Sequence, residues 1–222
     1  LRQAVAYAIN RDDIILGALE GNGVPLYVPI SPSAFGYPES FDNTPYDVEK
    51  AKALVAEAGY PDGITVTLKC TESVLYNRPA QIIQEELRQI GITVDLDVME
   101  KGAFLDDIYN KGSFEMCVWA IISMFPDADY TIYSRFHSKL LGGSNNFFRC
   151  QIPELDALLD KSRTESDPEA RKAVIKEVCE IVQDNAIMIP LFCGLNTVAA
   201  DNNLKGVVSN STSRYYIFNY HW

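Results

Sequence analysis

The sequence predicts an α/β fold in which a mixed, mostly parallel sheet is flanked by helices. Residues 64–98 read as a strand, then a helix, then a second strand. Residues 114–122 form a nearly continuous apolar run, which is typical of a strand buried on both faces. Helical stripes also cover residues 47–58 and 168–184. A strand, a helix and a strand in succession almost always form a right-handed parallel unit, so most of the sheet is expected to be parallel.

The first part of the chain predicts two short helices and then an irregular segment. Apolar residues at helical spacing cover residues 2–19, with an interruption at Asn10, and Gly21 follows the second helix. Residues 24–46 contain five prolines and five aromatic residues. So many anchoring residues indicate an ordered irregular segment rather than a flexible linker.

The central unit begins with a helix that Asp47 caps and that ends at Gly59. Its strands are expected over residues 64–68 and 92–98, because apolar and polar residues alternate there. The helix between them has Pro79 near its start.

Downstream of this unit the sequence predicts three helices and two strands. In order they are a short helix over 103–110, a strand over 114–122, helices over 154–163 and 168–184, and a strand over 188–200. Asp167 caps the last helix and Pro168 is its first residue.

Composition places the chain among ordinary globular proteins and excludes several classes. It has 222 residues, of which 47% are apolar and 22% are charged, which excludes a disordered chain. Its 19 basic and 30 acidic residues give a formal net charge of −11. Such a charge disfavours binding to nucleic acid or to an anionic membrane surface. No apolar window is long enough for a transmembrane helix.

The chain has neither an initiator methionine nor the pattern of a signal peptide. We therefore expect it to be a piece of a longer polypeptide. Its five cysteines form no Cys-x-x-Cys motif, and we expect most of them to be buried as small hydrophobic residues.

Groups that suggest catalysis are scarce. Only His137 and His221 are available as an imidazole base, and no nucleophile elbow or glycine-rich phosphate loop is present. The sequence therefore predicts a protein that is not an enzyme and that holds no cofactor or metal. Asp127 and Asp129 leave two interpretations open, a cation or acid–base site and a turn that caps the next helix, of which the turn is favoured.

Aromatic, hydroxyl and amide side chains follow the predicted strands and suggest a binding site. Ligands of open parallel sheets lie outside the carboxyl ends of the strands, where these side chains should meet. The alternative is that the aromatic residues only fill the core. The candidate ligand-binding residues are Tyr76, Asn77, Trp119, Ser123, Met124, Phe125, Asn145, Asn146 and Phe147.

Six stretches of the sequence together resemble a known family. They are LRQAVAYAINRDDII, YDVEKAKALVAEAGYPDGITVTL, AQIIQEELRQIGITVDLDV, FEMCVWAI, PELDALLDKSRTESDPEARKAVIKEVCEIVQDNAIMIPLF and NLKGV. In this order they are similar to the extracytoplasmic solute-binding proteins of ATP-binding-cassette (ABC) importers. The group resembled is family 5, which includes peptide, glutathione and nickel receptors.

The resemblance implies one lobe of a periplasmic-binding-protein type II-like fold. Family members are longer and have two lobes that close over the ligand around a hinge. The resemblance assigns residues 1–195 to the second ligand-binding lobe, and residues 196–222 to a segment that crosses the hinge to a first lobe absent from this sequence. It places Phe192, Gly194 and Asn196 at the hinge.

The resemblance also implies partners and a location. The partners are a small peptide-like ligand (an oligopeptide or a glutathione-like solute), the ABC permease subunits and the first lobe of the same polypeptide. The location is extracytoplasmic, either periplasmic or lipid-anchored on the outer face of the cell membrane.

Two departures from the family patterns leave the ligand open. Peptide receptors often carry Trp-x-x-Asp after the strand placed here at 114–122, and its Asp pairs with the ligand's amino group. An ungapped match puts Ile121 and Met124 at those positions. Nickel receptors use histidine, and His137 is the candidate on a cleft-side loop. A nickel or metal-chelate receptor and a ligand-sensing module without transport are the alternatives.

Overall fold

The structure is a computed structural model that describes residues 1–123, 125–195, 197–208 and 219–221. Its α-helices are α1 (Arg2–Ala8), α2 (Arg11–Leu19), α3 (Val48–Glu57), α4 (Val74–Arg88), α5 (Lys101–Leu105), α6 (Ala128–Phe136), α7 (Pro153–Thr164) and α8 (Pro168–Asp184). Its strands are β1 (Gly23–Pro25), β2 (Ile64–Thr71), β3 (Ile92–Met99), β4 (Met116–Cys117) and β5 (Phe192–Gly194). A π-helical segment, Asp106–Lys111, follows α5, and a 3-10 turn, Ser138–Leu140, follows α6.

The central sheet has the strand order β3-β2-β4, and both pairings are parallel. Strands β2 and β3 pair along their whole length, from Ile64 opposite Ile92 to Thr71 opposite Met99. The crossover helix α4 lies between them in sequence and packs on both. The predicted α/β architecture, a mostly parallel sheet flanked by helices, is confirmed.

The expected strand over 114–122 is wrong in its length. Only Met116–Cys117 pairs with β2, opposite Leu68 and Lys69, and both residues of the pair are only half-buried. Strand β4 is the outer strand and meets β2 just before β2 ends, so the backbone beyond Trp119 has no strand to pair with. Ile122 is consequently 72% exposed.

The expected strand over 188–200 is also shorter than the apolar pattern indicates. Among the described residues of this range, only Phe192–Gly194 forms a strand, and it pairs antiparallel with β1, not with the central sheet. Pro190 has no N–H to donate, and β1 offers three residues for pairing. The Nε of Arg11 instead donates to the carbonyl oxygens of Leu26 and Pro190, both at 2.9 Å, which ties α2 to this two-stranded ribbon.

The helix caps agree with the sequence pattern. The carboxylate of Asp47 accepts a hydrogen bond from the N–H of Lys50 at 2.9 Å at the start of α3. The carboxylate of Asp167 accepts one from the N–H of Ala170 at 2.8 Å at the start of α8. Within the described ranges, no helix combines the length and apolar character that crossing a bilayer requires.

The buried apolar residues form two clusters. The first joins the central sheet to α1–α4 and contains Ile14, Leu87 and Ile92; the second lies among α6, α7 and α8 and contains Phe136 and Leu155. Tyr76, which follows β2, packs on the first cluster, and Phe148 packs on the second.

The cysteines are free thiols. Cys70, Cys150 and Cys179 are buried, and Cys117 and Cys193 are partly exposed. Burial raises the pKa of the Cys179 thiol to about 12, so this group stays neutral and packs as a small apolar side chain.

Candidate functional site

Tyr76 and Trp119 meet at the carboxyl edge of the central sheet. Tyr76 lies in the first turn of α4, which follows β2, and Trp119 lies two residues after β4. Their ring centroids are 4.7 Å apart, and the ring of Phe104 lies 5.1 Å from that of Trp119. Tyr76 and Trp119 are half-buried, so part of each ring reaches the surface.

Tyr109 joins this aromatic pair to a more distant loop. Its hydroxyl oxygen accepts a hydrogen bond from Nε1 of Trp119 at 2.9 Å, and its ring lies 5.4 Å from that of Phe147. Its carbonyl oxygen accepts from the N–H of Gly143 at 3.1 Å. We call Tyr76, Phe104, Tyr109 and Trp119 the Trp119 cluster. Sequence reasoning missed Tyr109, because the π-helical segment that aims it at Trp119 has no pattern of its own.

Of the loop 145–147, the structure buries two residues and leaves one at the surface. The Nδ2 of Asn146 donates to the carbonyl oxygens of His137 at 3.2 Å and Cys150 at 2.8 Å, and its Oδ1 accepts from the N–H of Cys150 at 3.0 Å. Asn146 is fully buried and holds the loop together. Phe147 is buried against Tyr109, whereas Asn145 is exposed.

The loop after β4 carries two more of the predicted residues. The Oγ of Ser123 donates to the carbonyl oxygen of Phe125 at 2.7 Å, which closes a local turn. Phe125 is 52% exposed, and its ring meets that of Tyr130 edge-on at 5.3 Å. Met124 lies outside the described residues. Phe125 therefore presents exposed apolar surface beside α6.

Asn77 follows Tyr76 in the first turn of α4 and is half-buried. Its Oδ1 is buried and accepts no hydrogen bond within the described chain. An unpaired buried amide oxygen costs about 1–3 kcal/mol, so this atom favours a hydrogen-bond donor from water or a ligand.

Asp127 and Asp129 are structural, as the favoured interpretation of the sequence holds. The carboxylate of Asp127 caps α6 through the N–H of Asp129 at 2.8 Å. Arg171 donates two hydrogen bonds to the same carboxylate, at 2.7 and 2.8 Å, which lowers the pKa of Asp127. Arg163 likewise donates two hydrogen bonds to the carboxylate of Asp129, at 2.6 and 2.9 Å. Both charges are therefore already matched within the protein.

His137 is 1% exposed and lies between α6 and α7. Its Nδ1 accepts the N–H of Lys139 at 3.1 Å, which leaves Nε2 to donate to Asp160 at 3.2 Å. Both ring nitrogens are thus engaged inside the fold. His221 is exposed and lies on the C-terminal part of the described chain.

The residues expected at a hinge lie on the two-stranded ribbon. Phe192 and Gly194 are in β5, opposite Pro25 and Gly23 of β1. Asn196 falls outside the described residues, as do residues 209–218 and 222 of the segment 196–222. The structure of this chain leaves the hinge as a prediction.

Comparison with known proteins identifies the family. The profile described as "Bacterial extracellular solute-binding proteins, family 5 Middle" matches residues 1–142. The oligopeptide-binding protein AppA of Bacillus subtilis is 31% identical across 93% of this chain and 40% of its own length. The glutathione-binding protein GsiB of Salmonella typhimurium is 29% identical across 93% of this chain and 41% of its own length.

Solved structures of binding proteins are similar to this chain in fold. The structure of AppA from Bacillus subtilis in complex with a nonapeptide has a TM-score of 0.84 and 27% identity, covering 99% of this chain and 46% of AppA. The structure of DppA from Helicobacter pylori in complex with peptide STSA has a TM-score of 0.80 and 31% identity, covering 86% of this chain and 37% of DppA.

The chain thus spans about two fifths of the length of the curated relatives that it matches. The family profile covers more than half of the chain, and the solved relatives share its fold. The protein belongs to the bacterial extracellular solute-binding proteins of family 5.

Proposed function

We propose that this chain forms one ligand-binding lobe of the solute receptor of an ABC importer, and that its ligand is a small peptide-like solute. The observation that carries the proposal is the Trp119 cluster at the carboxyl edge of a parallel sheet, in which Tyr76, Tyr109 and Trp119 are half-buried. Relatives named for binding oligopeptides and glutathione support this ligand class.

The remaining ligand contacts come from a first lobe of the same polypeptide. Ligand held between two lobes stabilises the closed state, and the closed state docks on the permease subunits. In this scheme residues 1–195 form the second lobe, and Phe192, Gly194 and Asn196 lie where the chain crosses to the first. Such a receptor works outside the cytoplasmic membrane, in the periplasm or anchored by a lipid.

The chemistry of the edge fits a peptide-like solute that does not rely on an ammonium–carboxylate pair in this lobe. Phe125 and the Trp119 ring offer apolar contact, and Asn77, Ser123 and Asn145 offer neutral polar groups. Asp127 and Asp129 already have arginine partners. Neutral and apolar contacts therefore dominate recognition here.

A nickel receptor is not favoured. His137, on which that alternative depends, is buried with both ring nitrogens hydrogen-bonded. A metal would need one of these nitrogens free and reachable.

Tryptophan fluorescence tests the proposal. The chain has two tryptophans, so Trp222→Phe leaves Trp119 as a single reporter beside the proposed site. The titrants are a panel of tri- to pentapeptides, glutathione and heme. We expect at least one peptide or glutathione to change the emission of Trp119 saturably, with a Kd of about 0.1–1 mM, since one lobe supplies part of the contacts.

Matched aromatic variants locate the binding. Phe125→Ala should weaken the binding of that titrant by about fivefold or more, because it removes exposed apolar surface from the loop that follows β4. Tyr60→Ala should leave it unchanged, because Tyr60 precedes β2 and lies towards the other end of the sheet. Emission that no peptide or glutathione alters would overturn the proposal, and a response to heme alone would replace the ligand class.

A further inference from the structure

Two phenol groups flank the indole of Trp119. The Tyr76 ring packs against the Trp119 ring at 4.7 Å, and the Tyr109 hydroxyl accepts the indole N–H at 2.9 Å. The three side chains come from the start of α4, the segment Asp106–Lys111 and the residues after β4. They converge only in the folded chain.

Both hydroxyl groups have a proton that the described chain does not use. Tyr109 accepts one hydrogen bond but donates its own proton to no described group. The hydroxyl of Tyr76 makes no hydrogen bond to any residue that the structure describes. Burial, together with the neighbouring Tyr109, raises the pKa of Tyr76 above its usual value. Tyr76 is therefore protonated near neutral pH and is able to donate.

We propose that the hydroxyls of Tyr76 and Tyr109 form a two-donor site for one carbonyl oxygen of the bound solute, with Trp119 as the surface beside it. This inference rests on the proposed function and names the group of the ligand that this lobe recognises. A peptide amide suits the site, because its plane can lie against the indole while its oxygen accepts both protons.

A neutral carbonyl fits this position better than a charged group. An ammonium ion cannot accept the phenol protons. A carboxylate can accept them, but its burial among aromatic rings requires a counter-charge. An amide oxygen needs only hydrogen bonds, and two donors satisfy both of its lone pairs.

The cluster is held in place before a ligand arrives. Tyr109 is fixed by the ring of Phe147 and by the hydrogen bond that its carbonyl oxygen accepts from the N–H of Gly143. It also lies in a π-helical segment, a feature that recurs at functional sites. Tyr109 is a residue that no sequence pattern had marked.

The test uses two small probes and three tyrosine variants in the Trp222→Phe chain. N-acetylphenylalanine amide carries a ring and amide carbonyls, and phenethylamine keeps the ring but has no carbonyl. Tyr76→Phe and Tyr109→Phe each remove one hydroxyl and keep the ring. Tyr133→Phe is the matched control, because its hydroxyl contacts Asp160 on α7 and not the Trp119 cluster.

The expected result is selective. Tyr76→Phe and Tyr109→Phe should each weaken N-acetylphenylalanine amide by about five- to tenfold and phenethylamine by less than about twofold. Tyr109→Phe should also shift the indole N–H resonance of Trp119 in the free protein, whereas Tyr76→Phe should leave that hydrogen bond in place. Tyr133→Phe should match the parent for both probes.

Wild-type affinity for N-acetylphenylalanine amide in both variants would overturn the inference. Equal weakening of the two probes would also overturn it, because that pattern reports a general loss of packing. If the peptides that bind the parent still alter Trp119 emission in these variants, the proposed function stands without the inference. If neither peptides nor probes alter it in the parent, the proposed function itself fails.

Discussion

Glu86 is a buried carboxyl group beside the start of α2. Its ionisation makes the stability of the folded chain depend on pH, and replacement by glutamine should remove that dependence. Its Oε1 accepts the N–H of Asn10 at 3.1 Å, and its Oε2 is buried with no partner in the described chain. The side chain is 6% exposed. Burial raises the pKa of Glu86 from 4.5 to about 7, a rise that Asp13 adds to and that Arg11 and the N–H of Asn10 oppose.

The raised pKa of Glu86 determines how the stability of the folded chain changes with pH. The folded chain binds the proton of Glu86 more tightly than the unfolded chain does. The resulting stabilisation is complete below about pH 4.5 and is lost as the pH rises through about 7. The difference between 4.5 and about 7, at about 1.36 kcal/mol per pH unit, corresponds to about 3 kcal/mol.

Glu86→Gln retains an oxygen for the N–H of Asn10 and cannot ionise. Relative to the parent, its free energy of unfolding should rise by about 3 kcal/mol between about pH 4.5 and about pH 8. Urea unfolding followed by circular dichroism at both pH values measures this change. Glu85→Gln is the control, because Glu85 is exposed and pairs with Arg88 on the surface. A parallel pH dependence in Glu86→Gln and the parent would refute the reasoning.

Two other substitutions test the packing around the sheet and the buried loop. Asn146→Ala leaves the buried backbone groups of His137 and Cys150 without their partner. Urea unfolding should show a free energy of unfolding lower by about 3 kcal/mol or more. Gly63→Ala should cost more than Gly59→Ala in the same assay. Both glycines have φ near +90°, but only at Gly63 would the new Cβ lie 2.5 Å from a backbone oxygen, that of Gly91. Equal losses at the two glycines would show that the contact with Gly91 is unimportant.

Periodicity and capping residues predicted most of the helices, because these signals are local. They missed α6, and the helix expected over 103–110 is α5 followed by a π-helical segment. Asp47 and Asp167 cap the helices expected of them, and α8 runs over Pro168–Asp184 as its stripe indicates. The parallel pair β2–β3 was predictable for the same reason, since strand, helix and strand follow one another in sequence.

Strand length was not predictable, because it depends on the partner rather than on the strand. The apolar run 114–122 pairs only at Met116–Cys117, where β2 is about to end. Likewise β5 pairs with a three-residue strand that no local pattern separates from the irregular segment around it.

At the candidate site, the sequence pointed to the carboxyl edge of the sheet but not to what each side chain contacts there. Tyr76 and Trp119 are in contact. Trp119 was expected inside a strand over 114–122, and it follows β4 because that strand is shorter than its apolar run. Asn146 had the same sequence signature as Asn145 but is buried among backbone groups. Tyr109 carries no local signal, because its importance arises from tertiary contacts with Trp119 and Phe147.

Mapping amide resonances while the tightest-binding peptide is added tests most directly where this lobe takes up its solute. The largest changes should fall at residues 73–77 and 119–125, which follow β2 and β4 in sequence. A second position offers a clear contrast, a small cavity of about 10 Å³ lined by Arg11, Gln183 and Pro190 among others. Changes concentrated around that cavity, with residues 73–77 and 119–125 undisturbed, would contradict the account.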